Sequence, residues 1–398
     1  MARRSRWAYI IVALAVVGLL VAESNGPRRL PGALAPVRAP STAPPAGAEP
    51  VASTQPSVGA APRRPGKPGS FTIAATGDIL PHRSLLLTLQ RRTGELDIDG
   101  SFEEIKPLIS GADLAICHVE GAMLAEGERL RPSEILGTPP VWLREIKRAG
   151  YDRCSTASNH SLDGGLPGVD ATVAAFAEYG LGQSGVASSA ETVLPALETV
   201  NGIRVAHLSY TYGFDYGRLP ADEPWRANVI KPQRIIADAK AVRAKGADVV
   251  ILSLHWGNTQ WIKQSPFQLS VAEEVTRSGQ VDLIIGAHTH LIQPISQVNG
   301  VWVVWGMGDL LTNHPVNRKW GPGTQDGIIV TSTIRRAADH RIVVERPVAH
   351  PTWCDKQHGY TVRLAAPGER ASGLPAATIR GLDQSYARTK RVLGAFLP

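Results

Sequence analysis

Short apolar runs recur along this chain, and each breaks off at residues that carry chemistry. Residues 281–285 are Val/Ile/Leu-rich and too few for a helix, the pattern of a strand buried on both faces. They run into Gly286-Ala287-His288-Thr289-His290. Residues 71–76 run into Gly77-Asp78, and 113–117 into His118-Val119-Glu120-Gly121. Residues 151–157 run into Ser158-Asn159-His160, and 249–254 into His255-Trp256-Gly257. Between these runs the polar positions follow a helical period. Ser101-Phe102-Glu103-Glu104 reads as a capping box opening a helix toward Ile109. Thr138-Pro139-Pro140 reads as a helix start running to Gly150. Apolar stripes closed by glycine predict helices over 166–179, 231–245 and 266–278, with a strand over 204–210. Beyond the histidine pair, 300–305, 327–333 and 342–345 look like strands joined by hairpins. The alternation predicts one mixed α/β domain over 71–350. A weakly patterned C-terminal extension, 351–398, follows it and carries no assignable role.

The 398 residues carry a net charge of +7, placed unevenly. Residues 1–70 hold nine Lys/Arg against two acids, and the remainder holds 33 of each sign. The folded part is therefore neutral and gives no support for a nucleic-acid partner. Arg3, Arg4 and Arg6 precede an uncharged apolar run, residues 7–22. As a helix that run spans roughly 24 Å, a little short of a ~30 Å hydrocarbon core. Residues 1–23 are thus expected to be a signal peptide or a membrane anchor, with the rest of the chain outside the cytoplasm or secreted. Residues 24–70 are rich in Pro, Ala and Gly with no hydrophobic period, the composition of a disordered linker. Cys117 and Cys154 fall in two predicted strands and read first as small buried hydrophobes, with a disulfide conceivable in an oxidising compartment if those strands are neighbours.

Carboxylates, a carboxamide and imidazoles are ligands for divalent Mn, Fe or Zn. In open α/β sheets chemistry collects beyond the carboxyl ends of the strands. Five strands that each deliver such a residue at that end, within about 210 residues, point to a metal site. The ordered set Gly77-Asp78, Val119-Glu120, Asn159-His160, His255-Trp256-Gly257 and Gly286-Ala287-His288-Thr289-His290 resembles the CapA family. That family is named for bacterial poly-γ-glutamate capsule synthesis and belongs to the calcineurin-like metallophosphoesterase superfamily. Asn159-His160-Ser161-Leu162-Asp163-Gly164-Gly165 is similar to its most recognisable stretch, and the resemblance covers roughly 71–335.

The resemblance implies a four-layer αββα sandwich of metallophosphoesterase type, with mixed sheets and one or two divalent ions at a shared edge. It implies that Glu120 bridges two metals, with Asp78 and His290 completing the first position. Asn159, His255 and His288 would complete the second. His160 would be the catalytic acid, working with Asp78, and Asp163 lies close by in the same motif. Two cations about 3.5–4 Å apart can clamp an oxyanion. Three positions depart from the pattern. Leu80 stands where the superfamily carries a histidine, with His82 two residues on as an alternative or an ordinary loop residue. His118 stands where the family commonly has asparagine, as an extra ligand or a donor to one. Asp309 replaces another asparagine.

Other residues read more plainly. Trp256 and Trp261 suit packing better than a substrate wall, and Arg129 and Arg131 suit solvent better than an anionic ligand. His207 reads as a core histidine, and His314, His340, His350 and His358 carry no pattern. The expected function is a membrane-tethered, metal-dependent domain in extracellular capsule or poly-γ-glutamate biosynthesis, export or release. The expected partners are an anionic polymer or phosphoester substrate, the membrane, and other capsule synthesis or export subunits. A generic secreted metallophosphoesterase and a non-enzymatic polymer-binding scaffold are the alternatives.

Overall fold

Alternation with period two sorts the strand side chains between three separate apolar cores. In β1 (Ser70–Ile79), Phe71, Ile73 and Ala75 enter one core while Ala74 and Ile79 enter another. The computed structural model describes residues 67–94, 97–130 and 135–398. The N-terminal targeting segment, the linker as far as residue 66, and Arg131 lie outside the described residues.

After β1 come α1 (Arg83–Thr93), α2 (Lys106–Ser110) and β2 (Leu114–Val119). A short parallel pair, β3 (Ala122–Met123) and β4 (Gly137–Thr138), precedes α3 (Trp142–Ala149), β5 (Arg153–Ser155), α4 (Gly165–Glu178) and β6 (Gly182–Ser184). The second half starts with β7 (Glu198–Val200), β8 (Ile203–Thr211), α5 (Pro232–Ala244), β9 (Val249–His255), α6 (Pro266–Arg277) and β10 (Leu283–Ala287). It continues with β11 (Ile295–Val298), β12 (Val301–Val304), β13 (Asp309–Leu311), β14 (Asp326–Arg336) and β15 (Ile342–Val344). The chain closes with β16 (Val348–Asp355), β17 (Thr361–Leu364) and α7 (Ala376–Leu393).

The first sheet runs β17-β16-β14-β1-β2-β5-β6, with β13 paired to β1 and β15 to β14. The second runs β11-β12-β10-β9-β8-β7. Ile73 and Ile116 of the first sheet meet Val205, Ile251 and Ile285 of the second in a core between the sheets. Outside the first sheet, Ala115 and Cys117 pack against Leu85, Leu89, Trp142 and Phe176 of the helices. Outside the second, Val250 and Leu252 pack against Ile235, Val242, Val271 and Val275. The layers are therefore helix, sheet, sheet, helix. Among the described residues no helix is long and apolar enough to cross a membrane.

Two sequence expectations need correction, and one element was not anticipated. The capping box at Ser101 opens no helix; the Ser101 hydroxyl is buried without a partner, and α2 begins at Lys106. Pro107 explains the start, since a missing N–H costs nothing in a first helical turn. Residues 83–93 form α1, which no sequence signal announced. Cys117 and Cys154 are joined as a disulfide, because β2 and β5 are neighbours that pair these two residues in register, Cα–Cα 4.4 Å. Cys354 is a buried free thiol.

Residues 351–398 are woven into the same layers. β16 pairs β14 antiparallel, and Leu393 of α7 reaches the core between the sheets. Arg388 donates to both carboxylate oxygens of Asp326, at 2.6 and 2.8 Å, a bidentate clamp that pins α7 to β14.

Gly77 and Gly286 let the backbone of 305–308 thread between the two sheets. A Cβ on Gly77 would sit 2.0 Å from the Gly308 carbonyl oxygen, and one on Gly286 2.1 Å from that of Trp305. Backbone on backbone cannot step aside as a side chain does. Gly77→Ala and Gly286→Ala are each expected to cost about 3 kcal/mol, the upper end of overpacking. Denaturant midpoints would show it; unchanged midpoints would contradict the threading.

Candidate metal centre

Each candidate ligand stands where an apolar strand stops. Asp78 lies near the end of β1, Glu120 just past β2, and Asn159 after β5; His255 ends β9, and His288 follows β10. All are buried, with Asp78 at 0% exposure and Glu120 at 1%. His288 and His290 adopt positive φ, 90° and 53°, conformations that non-glycine residues rarely take and that gather at functional sites.

Among the described residues four groups of candidate ligand atoms result: Asp78 with His118 and His255, His290 with Asp309 and His314, and two that overlap at Glu120. Asp78, Glu120 and His290 have ligand atoms within 4.8 Å of one another, and so do Glu120, His255 and His288. Glu120 belongs to both. Asn159 joins the second of these two, its Oδ1 lying 2.7 Å from His255 Nε2. Its Nδ2 donates to Asp215 Oδ2 at 2.8 Å, which fixes the amide with its oxygen toward the histidine. Asp78 Oδ2 accepts from the His288 backbone N–H at 3.1 Å and lies 3.6 Å from His290 Nδ1.

These groups fit divalent cations on a direct observation. Asp78 Oδ1, Glu120 Oε2 and His288 Nδ1 are buried and have no hydrogen-bond partner. Unpartnered buried polar atoms are rare and costly. Three of them on residues that face one another make sense when a cation supplies the missing partner.

The electrostatics agree. Burial, then the charge of Glu120, pushes the Asp78 carboxyl well up from its ordinary value. Burial likewise raises Glu120. Burial lowers His255 and His288, keeping their rings neutral with lone pairs free to ligate. Burial alone would lower His290 too, but Asp309, Glu120 and Asp78 outweigh it and hold the ring up at about 10.

His160 sits at the rim, its Nε2 3.9 Å from Glu120 Oε1. Its Nδ1 is 2.7 Å from Asp163 Oδ2, which also accepts from the Leu136 N–H. Burial works against the charged ring, yet the Asp163 bond and Glu120 raise it overall. A histidine so held can keep a proton to donate at the cleft.

The two remaining departures touch ligands, and each also belongs to a candidate group of its own. Asp309 pairs in register with Asp78 across β13 and β1, and its carboxylate accepts from His290 Nδ1 and His314 Nδ1, each at 2.9 Å. His118 Nε2 lies 2.9 Å from His255 Nδ1 and 3.9 Å from Asp78 Oδ1. His82 does not join the ligand groups. Its Nδ1 accepts from the Asn313 N–H at 3.4 Å, its ring meets His314 edge-on, and burial pushes it down to about 3.

Glu120, Asn159, His288 and His290 line a cleft of 670 Å³ whose walls include Leu80, Tyr212, Tyr216, Lys319 and Trp320. Trp320 stacks on His314 with centroids 4.0 Å apart. No sequence pattern marked Tyr212, Tyr216, Lys319 or Trp320; His314 follows Asp309 by five positions, its one available signal. Trp256 packs instead, stacked on Trp305, whereas Trp261 is 47% exposed. His207 is a core residue bonded to Ser253.

The family described as bacterial capsule synthesis protein PGA_cap matches residues 72–314. The capsule biosynthesis protein CapA of Bacillus anthracis is 25% identical over 273 residues, 67% of this chain and 64% of that protein. The chain thus spans slightly under two thirds of that relative's length. The PGA biosynthesis protein CapA of Bacillus subtilis (strain 168) is 25% identical over 287 residues, 69% of this chain and 70% of that protein. Among solved structures, the calcineurin-like phosphoesterase YfkN of Bacillus subtilis aligns with a TM-score of 0.40 at 14% identity, covering 81% of this chain and 98% of that one.

Proposed function

The chain belongs to the bacterial capsule synthesis protein family PGA_cap, and on that premise we propose that it is a metal-dependent hydrolase or transferase acting on an extracellular anionic polymer such as poly-γ-glutamate. The supporting observation is the convergence of unpartnered Asp78 Oδ1, Glu120 Oε2 and His288 Nδ1 beside a proton-holding His160. A scaffold that merely grips a polymer has no use for that pairing. Asp78, Glu120 and His290 would hold one divalent ion, and Glu120, Asn159, His255 and His288 a second; Mn, Fe and Zn all suit the donor set. Bound there, such ions supply Lewis-acid stabilisation to a developing oxyanion. The chain's own groups do the rest. Asp163 orients His160, which donates its proton to the leaving group. Tyr212, Tyr216 and Trp320 narrow the cleft around an extended chain, and Lys319 at its mouth meets an acidic side group. We further propose that residues 1–23 tether the domain to the membrane and that other capsule synthesis or export subunits share its substrate.

Purified full-length protein should carry close to two divalent ions per chain by elemental analysis. Incubated with poly-γ-glutamate and, separately, a chromogenic phosphodiester, it should turn over at least one. His160→Asn should keep the metal and lose about 10²–10⁴ in rate, the range for a general acid. Polymer cleavage would select the capsule reading; phosphodiester turnover alone would select a general phosphoesterase. Metal with no turnover of either would leave a polymer-binding scaffold.

A further inference from the structure

His118 stands where the resembling family commonly carries asparagine, and it lies behind His255, buried in β2. Its Nε2 is 2.9 Å from His255 Nδ1, and its Nδ1 is 2.8 Å from Ser155 Oγ. Ser155 Oγ is in turn 3.3 Å from the Cys117 carbonyl oxygen. At the far end His255 Nε2 faces Asn159 Oδ1 at 2.7 Å. Five groups thus form one buried string: the Cys117 carbonyl, Ser155, His118, His255 and Asn159.

A neutral imidazole has one N–H and one lone pair, and a hydroxyl has one proton. The string can therefore run in only two senses. In the first, Ser155 donates to His118 Nδ1, His118 Nε2–H to His255 Nδ1, and His255 Nε2–H to Asn159 Oδ1. In the second, Ser155 donates to the Cys117 carbonyl, His118 Nδ1–H to Ser155, and His255 Nδ1–H to His118 Nε2. That leaves the His255 Nε2 lone pair facing the Asn159 oxygen, with nothing between them. Asn159 cannot relieve this by turning its amide, because Asp215 accepts from its Nδ2. Only a cation ligated by both makes the second sense favourable. The two senses contain the same number of protons, so passing between them exchanges protons with solvent and releases none.

We propose that His118, braced by Ser155, is a positioning residue that fixes His255 as its Nδ1–H tautomer when a cation is bound, so that Nε2 is the ligating atom. Loading the cation reverses the whole string from the first sense to the second. This rests on the metal reading above. It gives a chain-specific reason for a histidine here: its two ring nitrogens pass the bond on to Ser155.

The test uses full-length protein labelled with ¹⁵N-histidine and titrated with zinc(II) alone. Metal-free, His118 and His255 should both show Nε2–H ring shifts. Zinc-loaded, both should show Nδ1–H, with zinc on His255 Nε2. A His118 that keeps its tautomer on loading overturns the proposal. A His118 nitrogen that takes zinc directly also overturns it, in favour of ligation by His118. His118→Phe keeps the ring volume without an acceptor and should lower zinc affinity about 10–100-fold, the usual loss for a partner behind a ligand. His118→Asn, which offers an amide oxygen, should recover most of it. Equal affinity in all three proteins overturns the proposal. If His118→Phe does not fold, the ring shifts of the parent decide alone. Failure of the parent to bind zinc at all overturns the metal reading itself.

Discussion

Glu120→Ala is expected to empty both cation positions, leaving the purified protein with essentially no divalent metal. Glu120 is shared by the Asp78–Glu120–His290 and Glu120–His255–His288 groups, so its loss removes a donor from each. Partners that only orient a ligand cost about 10–100-fold in affinity, and a shared carboxylate ligand should exceed the upper figure. His288→Ala should empty the second position and spare the first. The fold should survive both changes. Glu120 is 1% exposed, one of its oxygens has no partner, and burial raises its pKa. Without metal it is a buried, poorly compensated acid, which is a cost to the native state. Metal-free Glu120→Gln should therefore melt at or above metal-free parent, while metal-loaded parent melts well above both. Elemental analysis beside thermal unfolding, with and without chelator, reads both signs. Normal metal content in Glu120→Ala would remove the site assignment.

Above about pH 7.5, roughly one unit past the ordinary histidine value, chelated protein should lose stability as pH rises toward about 9, while its affinity for zinc climbs over the same interval. Below it the histidines that burial lowers, His82, His118, His255 and His288, add stability as pH rises and oppose the trend. In the metal-free protein Asp78 and Glu120 are raised by burial. His290 is held at about 10 by its carboxylate neighbours, Asp309 first, against the pull of burial. A group whose folded pKa exceeds its unfolded one contributes stability that is complete below the unfolded value and is lost as pH rises toward the folded one. For His290 that window opens near 6.5 and closes near 10, with a slope of up to about 1.4 kcal/mol per pH unit for one proton. Asp309 is shifted the other way: burial would raise it, but His290 and His314 hold it below its ordinary value. Its contribution fails only in strong acid. Cation binding needs these same groups deprotonated, so zinc competes with protons and gains as they leave. Thermal midpoints at about pH 7.5, 8 and 9, in chelator and in excess zinc, should diverge with pH. Curves that converge instead would show that His290 is not a ligand.

Much of this centre is legible in the sequence, because strand ends are easy to see and chemistry that follows an apolar run is easier still. Asp78, Glu120, Asn159, His255, His288 and His290 are all brought together. The orientation of His118 is where one dimension ran out. Leu114 and Ile116 point between the sheets, while Ala115, Cys117 and Val119 point to the helices. His118 shares the parity of Ile116, so it faces the second sheet and His255. That follows only once the pairing of β2 is known. The disulfide was hidden for the same reason, since nothing in the sequence makes β2 and β5 neighbours. The cleft walls come from loops, around Tyr212 and around Lys319 and Trp320, where no period exists to read. α1 escaped because its N-cap, His82, makes no side-chain cap bond and no acid sits in its first turn. The Ser101 motif misled because Pro107, six residues on, set the helix start instead.

The pairing of β1 has a consequence for how this chain comes to be made. β1 lies inside the first sheet, and seven of its residues, Ser70 to Thr76, are matched to β14 residues from Arg335 back to Ile329. More than half of the polypeptide must therefore be synthesised before that edge of the first strand can find its partner. A nascent chain meanwhile carries an apolar strand with open backbone groups, the state most prone to pair with the wrong neighbour. Contacts so distant in sequence also make for slow folding. Ribosome-stalled or C-terminally truncated products should accumulate as aggregates rather than as smaller folded domains, and a chaperone or translocation partner that keeps the chain extended would be required until β14 emerges.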